Sequence, residues 1–250
     1  MTAHPRIGVL GGCGGAGASV FAAVLAGCAA ARAGQAFLLD CDPVGGGLDV
    51  LLGCERTPGS RWSQVRLRGG RLDPAVLTDC LPSWHQVSVL AVDDPAALNP
   101  DALIQIADAA VLAGPVVLDL ARWPSPVRAA ALGRCDLVVL LIPAEVAAVT
   151  ASAAVADGLD PARTALVVRG SAATLPASRI GELLGLAVLG RLRHDPAGRQ
   201  PSGLDPRRIR RGTRQVAEAV LRRAEVIAGS AGAVAAAGAA GAVAAPVVAA

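Results

Sequence analysis

Seven short apolar runs, at residues 6–10, 36–40, 87–92, 115–120, 136–142, 164–168 and 186–190, are separated for the most part by segments with helical spacing. Runs such as Val116-Val117-Leu118 and Leu137 to Leu141 have no polar face to turn to water, so strands built from them must be covered on both sides. Alternation of strand and helix then gives an α/β fold: a doubly wound, mostly parallel sheet with helices on both faces. Ligands of such sheets bind beyond the carboxyl ends of the strands. Gly8 to Ser19, Asp40 to Gly47, Asp119 to Trp123, Pro143 to Glu145 and Arg169 to Ser171 are therefore expected to share one rim.

The first of these segments carries the clearest chemistry. Gly12 and Gly17 frame four residues and are followed by Ala18 and Ser19, a phosphate-loop pattern with alanine where the phosphate-binding lysine belongs. The chain contains no lysine at all. The loop still lies between an apolar strand and an Ala-rich helix. Its backbone N–H groups, the unpaired donors of the helix start and the helix dipole all attract an anion without help from a side chain. Gly12, Cys13, Gly14, Gly15, Ala16, Gly17, Ala18 and Ser19 thus read as ligand-binding residues. The Ser19 hydroxyl stands where such loops hold Mg²⁺.

A second reading uses the same glycines. Gly12, Gly14 and Gly17 also spell G-x-G-x-x-G, and Asp40 ends the second apolar run, as in an NAD(P)-binding oxidoreductase. Against it, the chain has neither the tyrosine nor the lysine of a Tyr-x-x-x-Lys proton relay. A histidine mechanism would have to use His85 or His194, since His4 precedes the fold.

The acids favour phosphoryl chemistry. Phe37 to Leu39 run into Asp40 and Asp42, spaced by one residue and followed by Pro43 and Gly45 to Gly47. One carboxylate of such a pair can reach Mg²⁺ while the other orients an attacking water, which makes Asp40 and Asp42 the catalytic candidates. Val116 to Leu118 lead into a third strand-end acid, Asp119. Ser19, Asp42 and Asp119 form the expected Mg²⁺ set.

These motifs resemble the MinD and ParA class of deviant P-loop ATPases, and within it the CpaE-like or TadZ-like pilus and secretion ATPases of actinobacteria, over about residues 6 to 228. The family's two loop lysines fall at Cys13 and Ala18; its Asp-x-Asp-Pro step falls at Asp40, Asp42 and Pro43, and its second acidic strand ends at Asp119. Its adenine-reading asparagine falls at Arg169, and its dimer-facing Pro-Glu step at Pro143 to Glu145. The resemblance implies ATP or ADP with Mg²⁺ as cofactors and a nucleotide-dependent homodimer with loops facing each other. It also implies a positioning or scaffolding role in pilus or secretion assembly or septum-site placement. With both lysines gone, hydrolysis is expected to be weak or absent, with Arg122 the nearest substitute cation by sequence.

With 53% apolar and 17% charged residues in 250, the chain is expected to form one nucleotide-binding domain over 1–228 and a flexible Ala/Gly/Val tail over 229–250. Six cysteines without metal-site spacing, and a first strand too near the N-terminus for a signal sequence, lead to the expectation of a cytoplasmic protein, in contact with the inner face of the plasma membrane at most. A last helix over about Pro206 to Ala228 carries seven arginines against two glutamates. These suit an anionic membrane surface better than DNA, or are simply solvated while Ile209, Val216 and Val220 pack on the sheet. The stretch from Arg61 to Trp84 is expected to face a protein partner from a secretion, pilus or division machinery.

Overall fold

The computed structural model describes residues 4–67, 71–171, 175–193 and 203–241. In chain order the elements are β1 (Arg6–Gly11), α1 (Ala18–Ala33), β2 (Ala36–Cys41), α2 (Leu48–Leu52), α3 (Pro74–Cys80), β3 (Ser83–Trp84), β4 (Val87–Leu90) and α4 (Pro100–Ala110). They continue with β5 (Val116–Leu120), α5 (Pro126–Arg134), β6 (Leu137–Pro143), α6 (Val146–Ala156), β7 (Thr164–Arg169), α7 (Ala177–Leu184), β8 (Ala187–Leu192) and α8 (Arg211–Gly241). The strands form one sheet in the order β3-β4-β2-β5-β1-β6-β7-β8. Every neighbouring pair is parallel except β3 with β4, a hairpin at one edge. All seven apolar runs are strands, and the doubly wound α/β architecture is the one the alternation requires.

Alternate strand residues feed two cores. Ile7, Val9, Leu38, Val89, Val117 and Val139 pack beneath α1, α2 and α8. Leu10, Phe37, Leu39, Leu118, Leu140 and Leu166 pack beneath α3 to α7. Burial on both faces is why β2 and β5 are apolar until their carboxyl ends, where Asp40 and Asp119 emerge.

Three departures from expectation have local causes. Pro206 opens a single 3₁₀ turn capped by the Asp205 side chain, so the last helix starts only at Arg211. Ile209, Val216 and Val220 do pack on the sheet, and the arginines of this region are exposed. The Ala/Gly/Val segment suggests flexible chain from 229, yet α8 continues to Gly241, because alanine favours helix and an existing helix grows without a new nucleus. Residues 242–250 lie outside the described residues. Arg61 does not face outward: it is buried, pairs with Asp49 at 3.2 Å, and donates to the carbonyls of Cys54, Glu55, Thr57 and Gly59. Trp62, Leu77, Leu81 and Trp84 are buried as well, so among its described residues this stretch also contributes to the core.

Candidate functional site

The loop between β1 and α1 is set from its first residue. Gly12 donates to the Leu141 carbonyl of β6 at 2.9 Å, and a Cβ at Gly12 would overlap the Ser152 side chain of α6, so only glycine lets the loop lie this close. Gly17, with φ of 91°, turns the chain into α1. Helices α3, α4 and α5 each begin with a polar cap followed by proline, Asp73-Pro74, Asn99-Pro100 and Ser125-Pro126, and the cap side chain accepts a first-turn N–H. No side chain caps α2, α6, α7 or α1, and α1 is the helix that leaves the Gly12 to Gly17 loop. Its first-turn donors are left for a ligand, beside a cleft of about 480 Å³ lined by Cys13 to Val20 together with Asp42, Asp119, Arg122 and Trp123.

The acids enter from the neighbouring strands. Asp40 and Asp119 sit directly opposite each other in the β2–β5 register, at the point where both strands leave the core. Asp40 is only 2% exposed, and its carboxylate is used by the chain itself. Oδ1 accepts from the Asp42 N–H, and Oδ2 from the N–H groups of Leu48 and Val92, each at 3.2 Å. Its backbone carbonyl accepts from Trp62 Nε1 at 2.8 Å. Burial pushes its pKa up to about 6, with the three N–H donors offsetting part of that rise.

Asp119, 3% exposed, lies beside the Ser19 side chain at the cleft. Burial raises its pKa to about 8, the neighbouring Asp40 charge adds to the rise, and Ser19 offsets part of it. Asp42 is more open. Its Oδ1 accepts from Val44 N–H at 3.0 Å, and the residue lies between the phosphate cleft and a smaller hollow of about 330 Å³ lined by Ser19, Asp40, Gly45 to Gly47 and Asp119.

Ser19, Asp42 and Asp119 are thus brought together at one corner of the cleft. Among the described residues no group of three His, Cys, Asp or Glu side chains is arranged to hold a metal by itself. That donor set suits Mg²⁺, which keeps several waters and binds through one or two protein groups plus a phosphate. A buried carboxyl group facing other carboxylates is also the environment that a divalent cation relieves. The residues present therefore fit a phosphate-bound Mg²⁺.

Arg169 ends β7 and turns towards the loop rather than into the cleft: its Nη2 donates to the Gly15 carbonyl at 2.8 Å. Arg122 does line the cleft, with its guanidinium stacked on the Trp123 ring at 4.3 Å. Trp123 is 66% exposed, whereas Trp62 and Trp84 are buried. Glu145 is exposed at the start of α6 on the same rim. His85 lies at the turn of the β3–β4 hairpin, away from this rim, and His194 lies outside the described residues.

Strand order disfavours the dinucleotide reading. In the 3-2-1-4-5-6 order of that fold the second strand lies beside the first, which puts its terminal acid next to the glycine loop. Here β5 is inserted between β1 and β2, so the acid beside the loop's strand is Asp119, and Asp40 is one strand further off. Sequence reasoning did not anticipate the three N–H groups on Asp40, the anchoring Trp62, or the direction of Arg169. All three depend on contacts between distant segments.

No protein-family model matches the chain. Two proteins of Mycobacterium tuberculosis, from two strains and both uncharacterized, are 39% identical to it over 195 residues, 76% of this chain. That match covers 55% of their length, so the chain spans about half of the curated relatives it matches. Among solved structures, similarity extends to the septum site-determining protein MinD complexed with Mg-ADP from Pyrococcus horikoshii, with a TM-score of 0.66, 16% identity and coverage of 90% of this chain and 98% of that one. A ParA family ATPase from Chlorobium tepidum gives 0.67 and 12%, covering 89% and 99%. MinD in the MinC:MinD cell division complex of Aquifex aeolicus gives 0.69 and 14%, covering 87% and 95%. The chain has the fold of MinD and ParA ATPases.

Proposed function

We propose that this chain binds ATP or ADP with Mg²⁺ at the Gly12 to Ser19 loop and works as a nucleotide-dependent positioning or scaffolding factor of the MinD and ParA class, CpaE-like in its setting. The observation that carries this reading is the uncapped start of α1 beside Ser19, Asp42 and Asp119. Backbone N–H groups of the loop and of the first turn of α1 bind the phosphates and fix their position. Ser19, Asp42 and Asp119 hold Mg²⁺, which supplies charge neutralisation at the phosphate oxygens. Asp42, open to both hollows, is placed to orient a water, whereas the Asp40 carboxylate holds the turn that carries Asp42.

Turnover is weak or absent in this reading. Neither Cys13 nor Ala18 offers a charge to the developing negative oxygens, and cations in that role contribute about 10³ to 10⁵ in rate. A nucleotide site without strong catalysis suits assembly better than metabolism. The bound state would pair two copies through the rim that carries Gly14, Asp42 and Glu145, and present that dimer to a pilus, secretion or septum-placement machinery.

Among the described residues no helix is long and apolar enough to cross a membrane. Membrane contact would have to come from the exposed arginines before and along α8. Several of these already have local partners: Arg208 pairs with Asp205, Arg222 with Glu218, and Arg214 donates to the Pro206 and Arg207 carbonyls.

Calorimetry with ATP and Mg²⁺ tests the proposal, with NADH as the comparison. Saturable, Mg²⁺-dependent ATP binding that is lost in Gly17→Val supports it. Binding of NADH but not ATP overturns it.

A further inference from the structure

The loop has no lysine, but it has a cation. Arg169 comes from the end of β7, which is separated from β1 only by β6, and its Nη2 reaches the Gly15 carbonyl at 2.8 Å. Its Nη1 lies 3.1 Å from where a Cβ on Gly17 would stand. Gly17 is glycine for its positive φ, and a Cβ there would press on the Arg169 guanidinium, which would have to give by a few tenths of an ångström. A guanidinium stays charged at any physiological pH, so a full positive charge rests against the segment that leads into α1.

The hydrogen bond also sets a direction. In a trans peptide the C=O and the following N–H point opposite ways, so a donor that holds the Gly15 carbonyl aims the Ala16 N–H away from itself. Ala16 lines the cleft and Arg169 does not. The guanidinium thus lies on the side of the Gly15–Ala16 peptide opposite to the Ala16 N–H. Arg122, the cation on the cleft side, has its guanidinium engaged by the Trp123 ring instead.

We propose that Arg169 is the cation of this loop: a positioning residue that pins the Gly15 carbonyl, aims the Ala16 N–H at the phosphates and adds its charge from behind the loop, in place of a lysine within it. This rests on the nucleotide reading of the cleft. It gives Arg169 a phosphate-directed task rather than the base-reading one that its position in the resemblance implies. The two tasks separate cleanly, because one scales with the number of phosphates and the other does not.

The test uses the full chain and the variants Arg169→Ala, Arg169→Gln and Arg169→Lys, titrated calorimetrically with ATP, ADP and adenosine. Arg169→Ala should weaken ATP by about tenfold to a hundredfold, as expected for loss of a charge-assisted contact, and leave adenosine unchanged. Arg169→Lys should recover more ATP affinity than Arg169→Gln, which keeps a donor but not the charge. An equal loss for ATP and adenosine would assign Arg169 to the base and overturn the proposal, as would no loss at all. Without nucleotide, ¹⁵N relaxation of the Gly14 to Ala18 amides reads the pin itself, and Arg169→Ala should lower their order parameters. If the unmodified chain fails to bind ATP, the nucleotide reading falls; unchanged order parameters in Arg169→Ala remove the pin independently of that result.

Discussion

The ends of β2 and β5 present the same residue in the same register, yet the two aspartates have different surroundings. Asp40 is enclosed by three backbone N–H groups and tied to Trp62 through its carbonyl, and its pKa rises only to about 6. Asp119, just across the ladder, has the Ser19 side chain, and its pKa rises to about 8. Burial is the first cause in both; the Asp40 charge acting on Asp119 and the larger number of donors around Asp40 separate them. One carboxylate organises the chain that follows it. The other is held in the cleft with too few donors to offset its burial, a state that a cation at the site relieves.

Removing each acid should therefore give opposite signs. Asp40→Ala leaves the N–H groups of Asp42, Leu48 and Val92 without their acceptor, and should destabilise the fold by about 3 kcal/mol or more at pH 7. Urea denaturation reads this as a lower midpoint. Asp119→Asn removes a poorly compensated buried acid and should stabilise the nucleotide-free protein by about 1 to 3 kcal/mol at pH 8, while weakening Mg²⁺-dependent ATP binding. Destabilisation by both changes would erase the distinction between the two strand ends.

The pH dependence sharpens it. Both acids lie above the ordinary carboxylate value of 3.8, so over this range the folded chain holds protons that the unfolded chain has released. The stability contributed by these groups is greatest below about pH 4 and falls as pH climbs through about 6 for Asp40 and about 8 for Asp119. In Asp119→Asn the decline between about pH 6 and 8 should flatten, and that between about pH 4 and 6 should shrink to the part Asp40 carries. Thermal melts across pH check this, and an unchanged slope between about pH 6 and 8 would show that Asp119 does not carry it. Trp62→Phe loses the Nε1 bond to the Asp40 carbonyl together with part of a fully buried ring, and should cost about 2 kcal/mol.

The sheet was legible because strands buried on both faces must be apolar throughout, and the loop because its glycines are adjacent in sequence. Asp40 and Asp119 announced themselves as the first charges after such runs. Their division of labour did not, since it depends on an N–H of Val92 brought in from 52 residues away and on Ser19 across the sheet. Arg169 was hidden for the same reason: its partner Gly15 lies 154 residues earlier, and nothing local marks an arginine at a strand end as facing a loop. Arg61 misled because arginines in an irregular stretch are usually solvated, whereas this one gathers four carbonyls and an aspartate into a buried knot.

On the proposed function, Asp119 meets a cation that arrives with a nucleotide. At pH 7 its carboxyl, with a pKa near 8, is largely protonated, so binding of ATP with Mg²⁺ must displace that proton. Calorimetry at pH 7 in two buffers of different ionisation enthalpy measures the release directly. Close to one proton should be released per Mg²⁺-nucleotide bound, and much less in Asp119→Asn. Binding heats that are the same in both buffers, or a release that persists undiminished in Asp119→Asn, would contradict it.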